Sequence, residues 1–181
     1  MGEEFNKQAV EYTFTVPMEN IKKILDSGER TEFESGAVRD VQAGKGRCDL
    51  LPLDVAAEFL IRDWSAYTLN REPMIALDMF GDTHDIKYIY LAVFFFCIKR
   101  GWDKPTMLLE VSKHFEDGCR KYGERNWEKG IPLSRYIDSG IRHYLKWLRR
   151  DDDEPHDRAF CWNMLCLCWT FEHVPECNDL G

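Results

Sequence analysis

The chain has 181 residues, of which 44% are hydrophobic and 13% aromatic, and carries a formal net charge of −8. That length and six tryptophans are enough to bury one core, which excludes a chain that stays disordered throughout. The acidic balance excludes a nucleic-acid polymer as the expected partner, because that binding rests on neutralising phosphates.

The first residues, MGEEFNKQAVEY, have no basic start followed by an apolar stretch, so no signal peptide is expected there. Residues 1–43 read as an irregular arm with one short helix near Glu19–Asp26. The segment Gly44-Lys45-Gly46-Arg47-Cys48-Asp49 follows. Two glycines beside Lys45 and Arg47 would let the backbone approach a phosphate, although the spacing is not that of a Walker loop. An ordinary turn before a helix is the competing reading.

From residue 44 to 181 the pattern is that of one all-α domain, a helical bundle, with 53–105 as a variable helical section. Pro52 opens a helix over Leu53–Leu69 and Pro73 a second one to Phe80. Gly81-Asp82-Thr83 reads as a break. Thr83 or Asp85 then caps a helix through Lys99 that Gly101 ends. Within it, Tyr88–Ile98 is the most hydrophobic stretch, but it is too short to span a bilayer, so a buried helix and no membrane are expected. Strand signals are almost absent.

The central helix, capped by Asp103 or Thr106, runs to Gly123. At about 100° per residue, Glu110, His114, Asp117 and Lys121 fall on one narrow stripe. Leu108, Val111, Phe115, Cys119 and Tyr122 form the apolar face, and Ser112, Glu116 and Arg120 are expected to point to solvent. The stripe lies at the border of the buried face, where a site between two packed helices would form; a solvated helix gives the same order by chance. After a polar loop carrying Arg125, Asn126, Trp127 and Lys129, Pro132 and Ser134 start a helix to about Arg150. It bears Asp138, Arg142 and Arg149 on its polar face, with His143 at the edge. The run Asp151–Pro155 breaks it. A last helix, His156–His173, is apolar nearly all round, yet His156, Asn163 and Thr170 recur every seventh residue. Either another helix satisfies Asn163, or that face lines a polar pocket.

Seven cysteines form no CxxC pair and fit a reduced, cytoplasmic setting; Cys161, Cys166 and Cys168, inside the last helix, read as small core residues. Basic residues cluster at Arg120, Lys121, Arg125 and Lys129, and again at Arg142, Lys146, Arg149 and Arg150. A small anionic ligand suits such local patches on an acidic protein. Glu154 and Asp157 stand together on the first turn of the last helix, and with Glu110, His114 and Asp117 they offer oxygens for hard divalent cations such as Mg²⁺.

The segments GKGRCDLLP (44–52), KYGERNWEKG (121–130), RHYLKWL (142–148) and DDDEPHDRAFCWNML (151–165) carry a resemblance. They resemble the phage-associated dATP/dGTP diphosphohydrolase N-terminal domain family, related to MazG-like all-α pyrophosphohydrolases. The resemblance implies a helical, usually homo-oligomeric protein of the cytoplasm (the host's, for a phage protein) that splits a nucleoside triphosphate into monophosphate and pyrophosphate with Mg²⁺. It implies two ions held by Glu110, Asp117, Glu154 and Asp157, with Glu110, His114 and Asp117 as the catalytic group. Lys45, Arg47, Lys121, Arg125, Lys129 and Arg142 would balance phosphate charge. Trp127 would stack on the base, Asn126 or Asn163 would read its edge, and Tyr122, His143 and His156 would complete the substrate site. The chain departs from the MazG-like pattern in lacking its first ExxE, so the first half of the metal set is read from Glu110, His114 and Asp117, or from Asp138 with His143.

Two rivals remain. His143, His156-Asp157 and Asp179 follow the order of HD-type triphosphohydrolases, which release tripolyphosphate. The other is a helical protein that binds a nucleotide or another protein without turnover.

Overall fold

The computed structural model describes residues 29–40, 43–67 and 72–181. The chain divides into two units, Met1–Val41 and Gln42–Gly181. In the first, β1 (Arg30–Glu32) pairs antiparallel with β2 (Val38–Asp40), Thr31 opposite Arg39. The turn closes through Gly36 N donating to Phe33 O at 2.8 Å. This hairpin lies where the sequence reads as an irregular arm; its strands are only three residues long and lack an alternating apolar face. The helix expected near Glu19–Asp26 lies outside the described residues.

Among the described residues, the second unit holds six α-helices: α1 (Leu53–Ile61), α2 (Pro73–Thr83), α3 (Lys87–Arg100), α4 (Lys104–Tyr122), α5 (Leu133–Arg149) and α6 (His156–His173). The all-α expectation for this part of the chain holds. Local chemistry sets most ends. Asp103 caps α4, its carboxylate accepting from Thr106 N at 2.8 Å. Gly101 leaves α3 in the left-handed region at φ 77°.

Two boundaries differ from the expected ones. α1 stops at Ile61, because Asp63 closes a side-chain turn, accepting from Ser65 N at 2.9 Å, and Trp64 folds back to donate to Phe59 O at 3.0 Å. The rest of the expected helix, Thr68 and Leu69, lies outside the described residues. α2 runs through Gly81-Asp82-Thr83, since Thr83 Oγ1 returns its hydrogen bond to Met79 O at 2.6 Å and the chain turns only at His84, φ 52°.

α6 is the centre of the unit and packs on α5, α4, α3 and α1. Its cysteines Cys161, Cys166 and Cys168 are fully buried, and burial pushes their thiols well above the ordinary range. Phe96 of α3 meets Phe160 of α6 at 4.7 Å and Trp147 of α5 at 4.9 Å between ring centroids. Among the described residues no helix is long and apolar enough to cross a membrane.

One face of α4 overturns its expected orientation. Ser112 and Glu116 are buried, not solvent-facing. The Gly44–Leu50 segment folds over them: Arg47 N donates to Ser112 O at 3.0 Å, and Gly44 N and Gly46 N donate to the Glu116 carboxylate at 2.9 and 2.7 Å. The two glycine amides that would have suited a phosphate thus already hold a carboxylate of the chain itself. Arg120, the third of that set, is exposed as expected and pairs with Glu116 and Asp117.

Candidate active site

Between α4, the 123–131 connection, α5 and α6 lies a cavity of about 450 Å³. Its walls come from separate parts of the chain: His114 and Cys119 from α4, Asn126 and Trp127 from the connection, Arg135 and Tyr136 from α5, Trp162 and Asn163 from α6. The local folding is legible. Arg125 turns the chain at φ 50°, a single 3₁₀ turn over Asn126–Lys129 drops Trp127 inward, and its ring meets Phe115 and Trp169 edge-on at 5.7 and 4.9 Å.

The cavity is aromatic and poorly satisfied. His114 Nδ1, Trp127 Nε1 and Trp162 Nε1 are buried without a hydrogen-bond partner, and all three residues line it. Each such group costs about 1–3 kcal/mol unless something completes it. Burial, helped by neighbouring His143, holds the His114 imidazole below its ordinary value, so it is neutral at pH 7. Asn163 lies on this wall, and its side-chain nitrogen donates to Ala159 O of its own helix at 2.8 Å.

The cations expected on phosphates are mostly engaged. Arg47 grips Asp49 at 2.6 Å and Glu124 at 2.9 Å. Arg125 pairs with Glu128 and donates to Asp49 O at 2.9 Å. Arg142 pairs with Asp138 at 2.9 Å, Lys129 reaches Asn126 Oδ1 at 3.3 Å, and Lys121 lies over the Tyr122 ring at 4.9 Å. Lys45 is exposed. Of these cations only Arg125 lines the cavity, together with Tyr122, Asn126, Trp127, His143 and Asn163. Sequence reasoning missed Arg135, which lines the cavity and forms no ion pair among the described residues. Its signal was present: it follows the 121–130 motif by five residues, on the first turn of the next helix.

The carboxylates expected to share metal do not converge. Glu110 binds Lys113 at 2.6 Å and Arg158 at 2.8 Å; Asp157 binds Arg100 at 2.9 Å; Asp117 binds Arg120 at 3.0 Å. None of the three belongs to a group of possible ligands that gathers among the described residues. As they stand, these oxygens serve arginine and lysine and do not fit a pair of shared Mg²⁺ ions. Glu154 instead lies 3.7 Å from His143 Nδ1 and 3.8 Å from His156 Nδ1. The two imidazoles face each other at 3.0 Å, and Asp153 accepts from His156 Nε2 at 2.8 Å. Lys146 and His156 hold the Asp153 carboxyl down to about 2. The HD-type order is not completed, since Asp157 goes to Arg100 and Asp179 to the N-terminus of α5, where it accepts from Ser134 N at 2.9 Å.

No curated protein and no solved structure matches the chain. Residues 96–180, which span the end of α3 through α6 and supply every wall of the cavity except Leu50, match the family described as "dATP/dGTP diphosphohydrolase, N-terminal".

Proposed function

We propose that the protein hydrolyses a purine deoxynucleoside triphosphate, taken as its magnesium complex, to the monophosphate and pyrophosphate. The observation that carries this reading is the aromatic cavity with three unsatisfied buried nitrogens. A purine fits its size class, offers ring nitrogens and carbonyl oxygens to the Trp127 and Trp162 N–H groups, and gains about 1–3 kcal/mol from stacking on aromatic faces. An apolar ligand would leave those donors unpaired.

In this reading Arg135 and Arg125, which both line the cavity, hold the phosphates at its wall. Neutral His114 accepts the proton of the water that attacks the α-phosphorus, and pyrophosphate leaves with its charge held by the guanidinium groups. The family description is a diphosphohydrolase, which agrees with cleavage between the α- and β-phosphates. The working state is a homo-oligomer in the cytoplasm, the host's for a phage protein.

A second reading is a protein that binds the nucleotide without consuming it; the ion-paired state of Glu110, Asp117 and Asp157 favours it. The test is a panel of nucleoside triphosphates with Mg²⁺, resolved by product chromatography. Pyrophosphate and dAMP or dGMP support the proposal. Tripolyphosphate would point to HD-type chemistry, and a raised melting temperature with intact nucleotide to the binding protein.

A further inference from the structure

His143 of α5 and His156 of α6 present their Nδ1 atoms to each other at 3.0 Å, in a half-buried corner beside the nucleotide cavity. Two nitrogens bound to one ion at about 2.1 Å stand about 3.0 Å apart at a right angle and about 3.4 Å at the tetrahedral angle. The observed separation equals the right-angle value and is also that of an N–H···N hydrogen bond, so the two nitrogens already stand close enough to share one ion with little movement. Glu154 Oε1 is the third donor, at 3.7 and 3.8 Å from the two nitrogens. Its side chain is 44% exposed, so it is free to close the remaining few tenths of an ångström.

We propose that His143, His156 and Glu154 form a site for one borderline-soft divalent transition-metal ion, of the Zn²⁺ class, with a water in the fourth position. The donor set decides the class: two imidazoles and one carboxylate suit such ions, whereas Mg²⁺ prefers oxygen alone. The surroundings are those of a supported ligand. Asp153 accepts from His156 Nε2 at 2.8 Å, which keeps the proton on that nitrogen and leaves Nδ1 as a lone pair. The His156 side chain is only 1% exposed, so its ring is fixed by packing before any ion arrives. The one proton between the two rings sits on His143 Nδ1 and passes to its Nε2 when the ion takes its place. Lys146 is paired with Asp153 at 2.6 Å, which partly offsets its charge beside the site. The proposal does not rest on the hydrolase reading: His143 lines the same cavity, but none of the three groups takes part in the steps assigned under that reading.

The full-length protein, reduced and stripped with a chelator, is titrated with Zn²⁺ by calorimetry and with Co²⁺ by visible absorption, with Mg²⁺ as control. The expected result is one Zn²⁺ per chain, undisturbed by millimolar Mg²⁺, with a Co²⁺ spectrum free of thiolate charge transfer. His143→Gln and Glu154→Gln each weaken binding about tenfold or more while leaving the helical circular dichroism intact. Both side chains are more exposed than His156, so these variants are the ones that keep the fold. His173→Gln serves as the control, because Asp54, Glu172 and His173 form an exposed cluster of similar composition. Unchanged Zn²⁺ affinity in both His143→Gln and Glu154→Gln overturns the proposal. So does loss of binding in His173→Gln alone, or a thiolate band that puts the ion on the free cysteines.

Discussion

Glu116 of α4 accepts a hydrogen bond from the backbone nitrogen of Gly46 at 2.7 Å, and this contact seals the Gly44–Leu50 segment onto the bundle. Gly46 has φ 87°, and a Cβ there would overlap Ser112 Oγ and stand 3.0 Å from Lys113 N. Both the conformation and the space demand glycine. Gly46→Ala should destabilise the protein by about 1–3 kcal/mol, the usual range for an overpacked site, seen as a lower urea midpoint.

The same carboxylate gives a pH signature. The amides of Gly44 and Gly46, with Arg120 beside them, hold Glu116 below its ordinary value. A depressed folded value means that its contribution is complete above the unfolded value, about 4.3, and is lost as pH falls through the folded one. Wild type should therefore lose stability below about pH 4.3 more steeply than Glu116→Gln, which is weaker at pH 7 by about 1–3 kcal/mol. Parallel curves for the two proteins would show that Glu116 is not held in this way.

Trp162 separates a binding role from a packing role. Its indole N–H is a buried donor without a partner, so Trp162→Phe removes a cost from the free protein as well as some packing. The melting temperature without nucleotide should change little, while the dissociation constant for the purine triphosphate rises about tenfold, one hydrogen bond's worth. A large drop in stability with unchanged affinity would assign the ring to the core alone.

Arg135 and Arg142 should behave differently despite their proximity on α5. Arg135 lines the cavity without an ion pair among the described residues, whereas Arg142 is engaged with Asp138 on an exposed face. Arg135→Gln should raise KM for the triphosphate about tenfold or more and leave binding of the bare deoxynucleoside unaltered. Arg142→Gln should shift stability by no more than about 0.5 kcal/mol and leave KM as it was. Steady-state kinetics with equilibrium binding of the deoxynucleoside check both.

Glu110 is placed to hold Arg158 across the α4–α6 contact, at 2.8 Å. Glu110→Gln should cost about 1 kcal/mol in unfolding experiments, the scale of a partly exposed ion pair, while pyrophosphate release persists. Abolished release at unchanged stability would return Glu110 to the catalytic group that the family resemblance implied.

Most of the helical architecture is written locally. The Asp103 cap, Gly101 and Gly123 at helix ends, the prolines at helix starts and the unbroken apolarity of α6 are features of adjacent residues, readable without knowing the fold. Asn163 on a cavity wall was also foreshadowed, because a polar group inside apolar surroundings needs something beside it, whereas Trp127 was pointed to only by the family resemblance. What the tertiary structure alone decided is who meets whom. Ser112 and Glu116 lie on the polar side of α4 by periodicity and are buried only because a glycine loop some 70 residues earlier closes over them. Glu110 and Asp157 read as free oxygens until Arg158 and Arg100 arrive from other helices. The meeting of His143 with His156 depends on how α5 turns back at Arg150. Helix formation is governed by neighbours in the chain, whereas charge pairing and ligand convergence depend on contacts between elements, and these are set by the packing of the whole core.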